Sequence, residues 1–442
     1  MKKFPLLLLI LSIMPVCLIA QSTTEVAGNI KTNKKIKDAF MDLRFGMFIH
    51  WGPVTLRGTE IGWSRGSEVP VAEYDNLYKE FDPVLFNADA WVKTSKDAGM
   101  KYLTITAKHH DGFCLWPSKF TTYNIINTPF KKDVVGALAN ACKKAGLKFC
   151  IYYSVLDWHQ PDYPLHLPGN TESDPKADMS KYIIYMKNQL KELITNYHPY
   201  MLWFDGNWEK PWTQEMAVDM YNYIKRLDPN VIINNRLGKT NHEVLTGESV
   251  GDYATPEQKI GKLNMDYPWE SCITICNQWA WKPNDKMKSI KQCIQTLAST
   301  AGGNGNLLLN VGPMMDGRIE ARQVKRLKEI GDWLKKYGEA IYDTKGGPYK
   351  PDSIFASTRK NNKIYLHIFQ STSNELIIPS VPGLKILKAS FLKGSSVNFK
   401  QDEKGLTLSL PDKLPNENDS VIELDMNGNA ENVPVINIDN DK

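Results

Sequence analysis

A chain of 442 residues is too long for one small core, and by size alone it implies two or three domains. Hydrophobic residues at 42% and charged residues at 23% exclude disordered and fibrous classes. The formal charge of +5 falls to +3 if Lys2 and Lys3 leave with a cleaved leader, too weak a balance to argue for nucleic acid or an anionic membrane as partner.

The N-terminus reads M-K-K, then a short apolar core from Phe4, then a small residue at Ala20. This is the pattern of a secretory signal peptide over residues 1–20, too short and wrongly flanked for a membrane anchor, and it predicts export. Cys17 would permit lipid attachment, but Val16 is larger than the small residue that normally precedes such a cysteine. No later stretch is apolar enough to span a bilayer. Beyond the leader stand Cys114, Cys142, Cys150, Cys272, Cys276 and Cys293, sparse for a disulfide scaffold and without the paired spacing of a zinc site, so buried thiols are expected.

From about residue 40 to 340 short β-rich runs alternate with longer amphipathic ones. Strands are predicted at 45–51, from 101, from 148, from 200, from 231, around 269 and from 307; the eighth strand of a barrel is not evident. Helices are predicted over Val134 to Ala145, Met179 to Asn196, Gln214 to Arg226, Met287 to Thr300 and Glu320 to Tyr337. Alternation of this kind means parallel strands with helical crossovers. The first strand runs into His50-Trp51-Gly52-Pro53 with no glycine-rich phosphate cradle, which disfavours a doubly wound nucleotide binder. Polar residues recur at the ends of several strands, which favours a (β/α)8-like, TIM-type barrel over residues 28–343. Past Gly346-Gly347-Pro348 the texture becomes alternating runs such as K-I-Y-L-H-I-F and S-V-I-E-L-D-M, read as a C-terminal antiparallel β-sandwich over 346–442 with a frayed end.

The most informative motif is Trp203-Phe204-Asp205-Gly206, where an apolar strand breaks into a glycine turn with an acid at its carboxyl end. Barrel enzymes place chemistry there, and partial burial tunes a carboxyl as nucleophile or proton carrier. An Asp capping the next helix is the plainer alternative. His109-His110-Asp111-Gly112 opens another loop. Adjacent strand residues face opposite ways, so both imidazoles reach one metal only if the chain has already turned; hydrogen bonding to sugar hydroxyls fits better. Twelve tryptophans, many beside strand-end polar residues, suit stacking on sugar rings, although core packing accounts for some. Glycoside hydrolysis needs two carboxyl groups; Asp205 and Glu270 are the pair chosen, each near a tryptophan, with Arg236 supplying positive charge. A surface-loop role for Glu270 stays open, as do a non-catalytic carbohydrate-binding barrel and a metal-dependent hydrolase built on His109, His110 and Asp111.

These motifs together resemble the α-L-fucosidases of glycoside hydrolase family 29. The stretches are F-G-M-F-I-H-W-G at 45–52, V-A-E-Y with F-D-P at 71–83, K-H-H-D-G-F at 108–113, I-Y-Y-S at 151–154, L-W-F-D-G at 202–206, W-E-S-C at 269–272 and N-L-L-L-N-V-G-P at 306–313. The resemblance implies an exo-acting, retaining double displacement on a terminal α-linked L-fucose of a glycan, with no cofactor and no metal. It implies Asp205 as nucleophile and Glu270 as acid/base, with Glu248 and Glu257 as alternatives if the loop before Trp269 shifts register. It further implies His50, His109, His110, Trp63, Trp203, Arg236 and Trp281 as the residues around the sugar.

Overall fold

Seven apolar runs form the strands of one parallel sheet: β1 (Phe45–Ile49), β2 (Tyr102–Lys108), β3 (Lys148–Ser154), β4 (Met201–Asp205), β5 (Ile232–Ile233), β6 (Glu270–Thr274) and β7 (Asn306–Val311). The computed structural model describes residues 32–371, 373–402 and 405–438, so the predicted leader, Cys17 and the extreme C-terminus lie outside the described residues. Their order is β5-β4-β3-β2-β1-β7-β6, a sheet curled into a TIM-like barrel. The gap between β5 and β6 is filled by an extended segment rather than a strand. It bridges Tyr253 to Asn234 on one side, and Ala254 to Trp269 and Glu257 to Cys272 on the other, all in parallel sense. Asn235 N–H donates to the Tyr253 carbonyl at 2.9 Å and Gln258 N–H to that of Cys272 at 2.9 Å. This is why no eighth strand stands out in the sequence: the closing piece, D-Y-A-T-P-E, carries Pro256 and lacks an apolar run.

Side chains two apart share a face of a strand. Met201 and Trp203 turn into the barrel with Phe48, Tyr152 and Cys272, while Leu202 and Phe204 turn outward to the helices. Gly46 has a packing reason: a Cβ there would lie 2.4 Å from the Tyr102 ring, which crosses the barrel floor. The amino end is closed by Phe40 of α1 (Lys34–Asp42), whose ring lies 4.8 Å from Tyr253.

The remaining helices are α2 (Val71–Tyr74), α3 (Ala88–Asp97), α4 (Val134–Ala145), α5 (Met179–Tyr197), α6 (Gln214–Leu227), α7 (Ile290–Gly302) and α8 (Ala321–Tyr337). Most start on a polar cap. Asp133, Asp178 and Thr213 accept from backbone N–H groups of α4, α5 and α6, and Ser289 with Gln292 forms a capping box on α7. That box moves the start of α7 past the predicted Met287. α3, which composition did not mark, is held by Trp91 and Val92 buried against the barrel.

From residue 345 on the chain builds two antiparallel sheets. One has the order β12-β15-β10-β9-β8, the other β11-β14-β13, with β8 (Lys345–Gly346), β9 (Phe355–Lys360), β10 (Lys363–Ile368), β11 (Glu375–Ile378), β12 (Ile386–Phe391), β13 (Phe399–Asp402), β14 (Gly405–Ser409) and β15 (Ser420–Met426). Leu366, Leu408, Ile422 and Leu424 lie in the core they share. The unit leans on the outer helices: Gly302 at the end of α7 would place a Cβ 3.0 Å from that of Ala356.

Candidate active site

At the carboxyl ends of the strands opens a cavity of about 290 Å³, the lower end of the range for small-molecule pockets. Asp205 is the last residue of β4, on the same inward face as Trp203. Gly206 then takes φ of 92°, a left-handed conformation that favours glycine, and its hydrogen faces Leu156 where a Cβ would come within 2.5 Å. The chain therefore turns away sharply and leaves the carboxylate at the cavity wall.

Two donors address that carboxylate, and one imidazole stands near it. Arg236 Nη1 reaches Oδ1 at 3.1 Å, the Tyr152 hydroxyl donates to Oδ2 at 3.2 Å, and His110 Nε2 stands 3.6 Å from Oδ2. Arg236 is rigidly held. Its Nε donates to Thr255 Oγ1 at 2.9 Å, Nη2 to the Thr255 carbonyl at 3.0 Å, and its guanidinium lies 4.8 Å from the Trp203 ring centre. The same Nη1 also donates to Glu257 Oε2 at 2.8 Å. Burial works against the charge of Arg236, and Asp205, Cys272 and Glu257 more than offset it. Because Asp205 and Glu257 share one nitrogen, their nearest oxygens are no further apart than those two contacts laid end to end. That lies below the ~6.5–9.5 Å of inverting pairs and admits the ~5–5.5 Å of retaining ones.

His50 and His109 line the cavity too, and His110, outside the lining, is buried beside them. β2 carries an irregularity between Thr106 and Lys108, and the chain has already turned when it reaches the two histidines, so their rings stand 4.2 Å apart between centres instead of on opposite faces. Lys108 points outward to a fully buried pair with Asp157 at 2.9 Å. His50 Nδ1 meets Asn310 Oδ1 at 2.6 Å and His110 Nδ1 meets Ser154 Oγ at 2.7 Å. The His109 ring stacks on Tyr152 at 5.3 Å, with its buried Nδ1 unpartnered. Burial pushes the imidazoles of His50 and His110 down to about 3 and that of His109 well below its ordinary value. All three are neutral near pH 7; the Nδ1 protons of His50 and His110 go to Asn310 and Ser154, which leaves each Nε2 as an acceptor.

Trp63 is half exposed on the rim and stacks on Trp208, with 5.8 Å between centres, and Trp203 forms the cavity floor. Two expected residues are elsewhere. Trp281 does not line the cavity; Trp279 does, 4.7 Å from the His50 ring, because Glu60 accepts the Trp279 and Ala280 N–H groups at 2.9 Å each and fixes that loop. Glu270 was expected where a strand becomes a loop at the cavity. It is instead the first residue of β6, at the amino end of the barrel, fully buried beneath Trp203. Of the alternatives, Glu248 is exposed, its carbonyl bonded by Gln214 Nε2. Glu257 lines the cavity, 36% exposed against 14% for Asp205. Asp111 does not converge with the histidines: Tyr74 OH donates to it at 2.7 Å, and Tyr74 in turn accepts from Gly62 N–H below Trp63. Among the described residues no cluster of three or more His, Cys, Asp or Glu side chains has the arrangement of a metal site. The six cysteines of the described chain are free and buried.

Tyr152 and His242 line the cavity without having been singled out, whereas Trp208 and Trp279 belong to the tryptophans expected to suit sugar rings. Tyr152 had a signal, since it is two residues before Ser154 on β3 and faces inward with it. His242 and Glu257 lie in the irregular chain between β5 and β6, where periodicity says nothing.

The barrel, its carboxylates and the imidazole wall define the class of a glycoside hydrolase. The sequence matches the family described as Alpha-L-fucosidase over residues 16–339. Tissue alpha-L-fucosidase of Bos taurus is 29% identical over 409 residues, 85% of each chain, and a putative alpha-L-fucosidase of Caenorhabditis elegans is 31% identical over 349 residues, 73% of this chain and 70% of its own. Among solved structures, alpha-L-fucosidase isoenzyme 1 from Paenibacillus thiaminolyticus superposes with a TM-score of 0.79 at 34% identity, covering 89% of this chain and 99% of that one. A GH29 alpha-L-fucosidase from Bacteroides thetaiotaomicron, trapped as a covalent intermediate with 2-fluoro-fucosyl fluoride in a Glu-to-Gln variant, superposes at 0.81 with 31% identity, covering 90% and 97%. The chain belongs to the alpha-L-fucosidase family, glycoside hydrolase family 29.

Proposed function

We propose that this protein is an exo-acting, retaining alpha-L-fucosidase in which Asp205 is the nucleophile and Glu257, rather than Glu270, is the acid/base. The observation that carries the assignment is the shared nitrogen of Arg236, which sets Asp205 and Glu257 side by side on one cavity. In the first step an Asp205 oxygen attacks the anomeric carbon of a terminal α-linked fucose as the glycosidic bond breaks, and Glu257 gives its proton to the departing oxygen. In the second, Glu257 takes a proton from water, the water oxygen bonds to the anomeric carbon, and the bond to Asp205 breaks, so configuration is retained. A Glu-to-Gln change that traps a covalent fucosyl species, as in the relative from Bacteroides thetaiotaomicron, supports a glutamate in the second step. Arg236 and Tyr152 hold the nucleophile in place, His50 and His109 face the hydroxyls as neutral partners, and His110 is buried beside Asp205.

The test is hydrolysis of an aryl α-L-fucoside followed by NMR of the first-formed sugar. The expected product is α-L-fucose; β-L-fucose, or no turnover, would overturn the reading. For location we propose export through the leader that ends near Ala20. No helix among the described residues is long and apolar enough to cross a membrane. N-terminal sequencing of the mature protein should begin near Gln21.

A further inference from the structure

Glu270 is held on the barrel floor by Trp203 and Tyr102, with Tyr253 beside them. Its Oε1 accepts from Trp203 Nε1 at 2.9 Å and its Oε2 from the Tyr102 hydroxyl at 2.5 Å. Tyr102 cannot swing away, since its ring fills the space left by the missing side chain of Gly46. The carboxyl is therefore a fixed point, and the indole N–H aims at it from above. The other side of the indole faces the chemistry: Arg236 lies 4.8 Å from the ring, Tyr152 stacks at 5.6 Å with 19° between planes, and Phe48 packs at 5.2 Å. Arg236 and Tyr152 are two of the groups that touch Asp205.

We propose that Glu270 is a positioning residue: by fixing the rotation of the Trp203 indole it sets the two donors, Arg236 and Tyr152, that orient the nucleophile. The proposal rests on the fucosidase reading above. A rigid chain of three buried contacts joins an acid that never meets substrate to the atoms that do. A misplacement of about 1 Å at a reacting group costs on the order of 10²-fold in rate, which sets the size of the effect.

The experiment compares wild type, Glu270→Gln, Glu270→Ala, Trp203→Phe and the double variant Glu270→Ala/Trp203→Phe on a series of aryl α-L-fucosides of differing leaving-group acidity. Wild-type turnover is the control, and its absence would fell the fucosidase reading rather than this one. Glu270→Ala should lose on the order of 10²-fold in kcat at every leaving group alike, with KM changed only a few-fold and no rescue by azide. Glu270→Gln, which keeps an oxygen for the indole N–H, should recover most of that rate and covers the case in which the alanine variant fails to fold. Trp203→Phe removes the other end of the same bond, so the double variant should be no slower than the slower single one. Losses that multiply in the double variant, a loss that grows as the leaving group becomes more basic, or rescue by azide would each overturn the proposal. So would Glu270→Gln falling as far as Glu270→Ala in folded protein.

Discussion

β4 and β6 each set an acid beside a tryptophan and turn the acid into the barrel, and they do opposite things with it. In β4 the order is Trp203-Phe204-Asp205 and the acid ends the strand. In β6 Trp269 precedes the strand and Glu270 begins it. Strand direction alone then separates their fates: one carboxyl emerges among Arg236, Tyr152 and His110 at the open end, the other is sealed under Trp203 at the closed end. Burial pushes Glu270 up to about 7, with the hydrogen bonds from Tyr102 and Trp203 working the other way. A perturbed carboxyl is a functional-site hint only when geometry lets it reach substrate, and here it does not.

The comparison would break most visibly at Asp205. Asp205→Asn keeps the shape and the contacts to Arg236 and Tyr152 but removes the attacking charge, and kcat should fall on the order of 10⁴-fold or more while the thermal midpoint stays near wild type. Turnover close to wild type would end the nucleophile assignment. Glu257 is next in size. Its removal in Glu257→Ala should cost about 10²–10⁴-fold on substrates with basic leaving groups, much less on activated aryl fucosides, and azide should restore the rate as an α-fucosyl azide accumulates, the configuration retained. If azide rescues Glu270→Ala and leaves Glu257→Ala untouched, the roles of the two glutamates are exchanged.

The imidazole wall sharpens the contrast on a smaller scale. With His50 and His110 held near 3 and His109 well down by burial, none of the three changes charge between pH 5 and 8. Imidazole nitrogen NMR, assigned by single His→Gln variants, should show them neutral throughout that range. A midpoint between 6 and 7 at any of them would mean that water reaches the wall in solution. EDTA should leave activity unchanged, since Asp111 is turned to Tyr74 rather than to the histidines; loss on chelation and return with zinc would revive the metal reading.

How much of this was legible depended on period. Strand runs such as L-W-F-D and helices such as Val134 to Ala145 carry their pattern in adjacent residues, and they stand where the sequence put them. Asp205 was legible because a glycine turn marks the end of β4. Glu270 was not, because nothing in P-W-E-S-C tells whether Trp269-Glu270 enters or leaves a strand; that depends on the ladder to Asn306 and Leu307. Glu257 could be named only as an alternative, because it lies in the chain that hid the eighth strand, a proline-bearing segment held by bridges to both neighbours rather than by its own composition. Trp279 and Trp281 differ only by which one Glu60 turns inward, a contact 219 residues away in sequence.

The smallest effect is on stability, and it reads Glu270 without turnover. Its folded pKa of about 7 stands above the ordinary 4.5, so the native state holds the proton more tightly than the unfolded chain. The stability this gives is complete below about 4.5, where both states are protonated, and is lost as pH rises toward 7 and the unfolded chain ionises first. Gln has no proton to lose. The thermal midpoint of Glu270→Gln relative to wild type should therefore climb between about pH 4.5 and 7 and level off above, a difference worth at most a few kcal/mol, at about 1.4 per pKa unit. Asp111 and Glu60 carry raised values of their own, but they are common to both proteins and cancel. Parallel midpoint curves across that window would mean that Glu270 is solvated, and the separation drawn between the closed and open ends of the barrel would not hold.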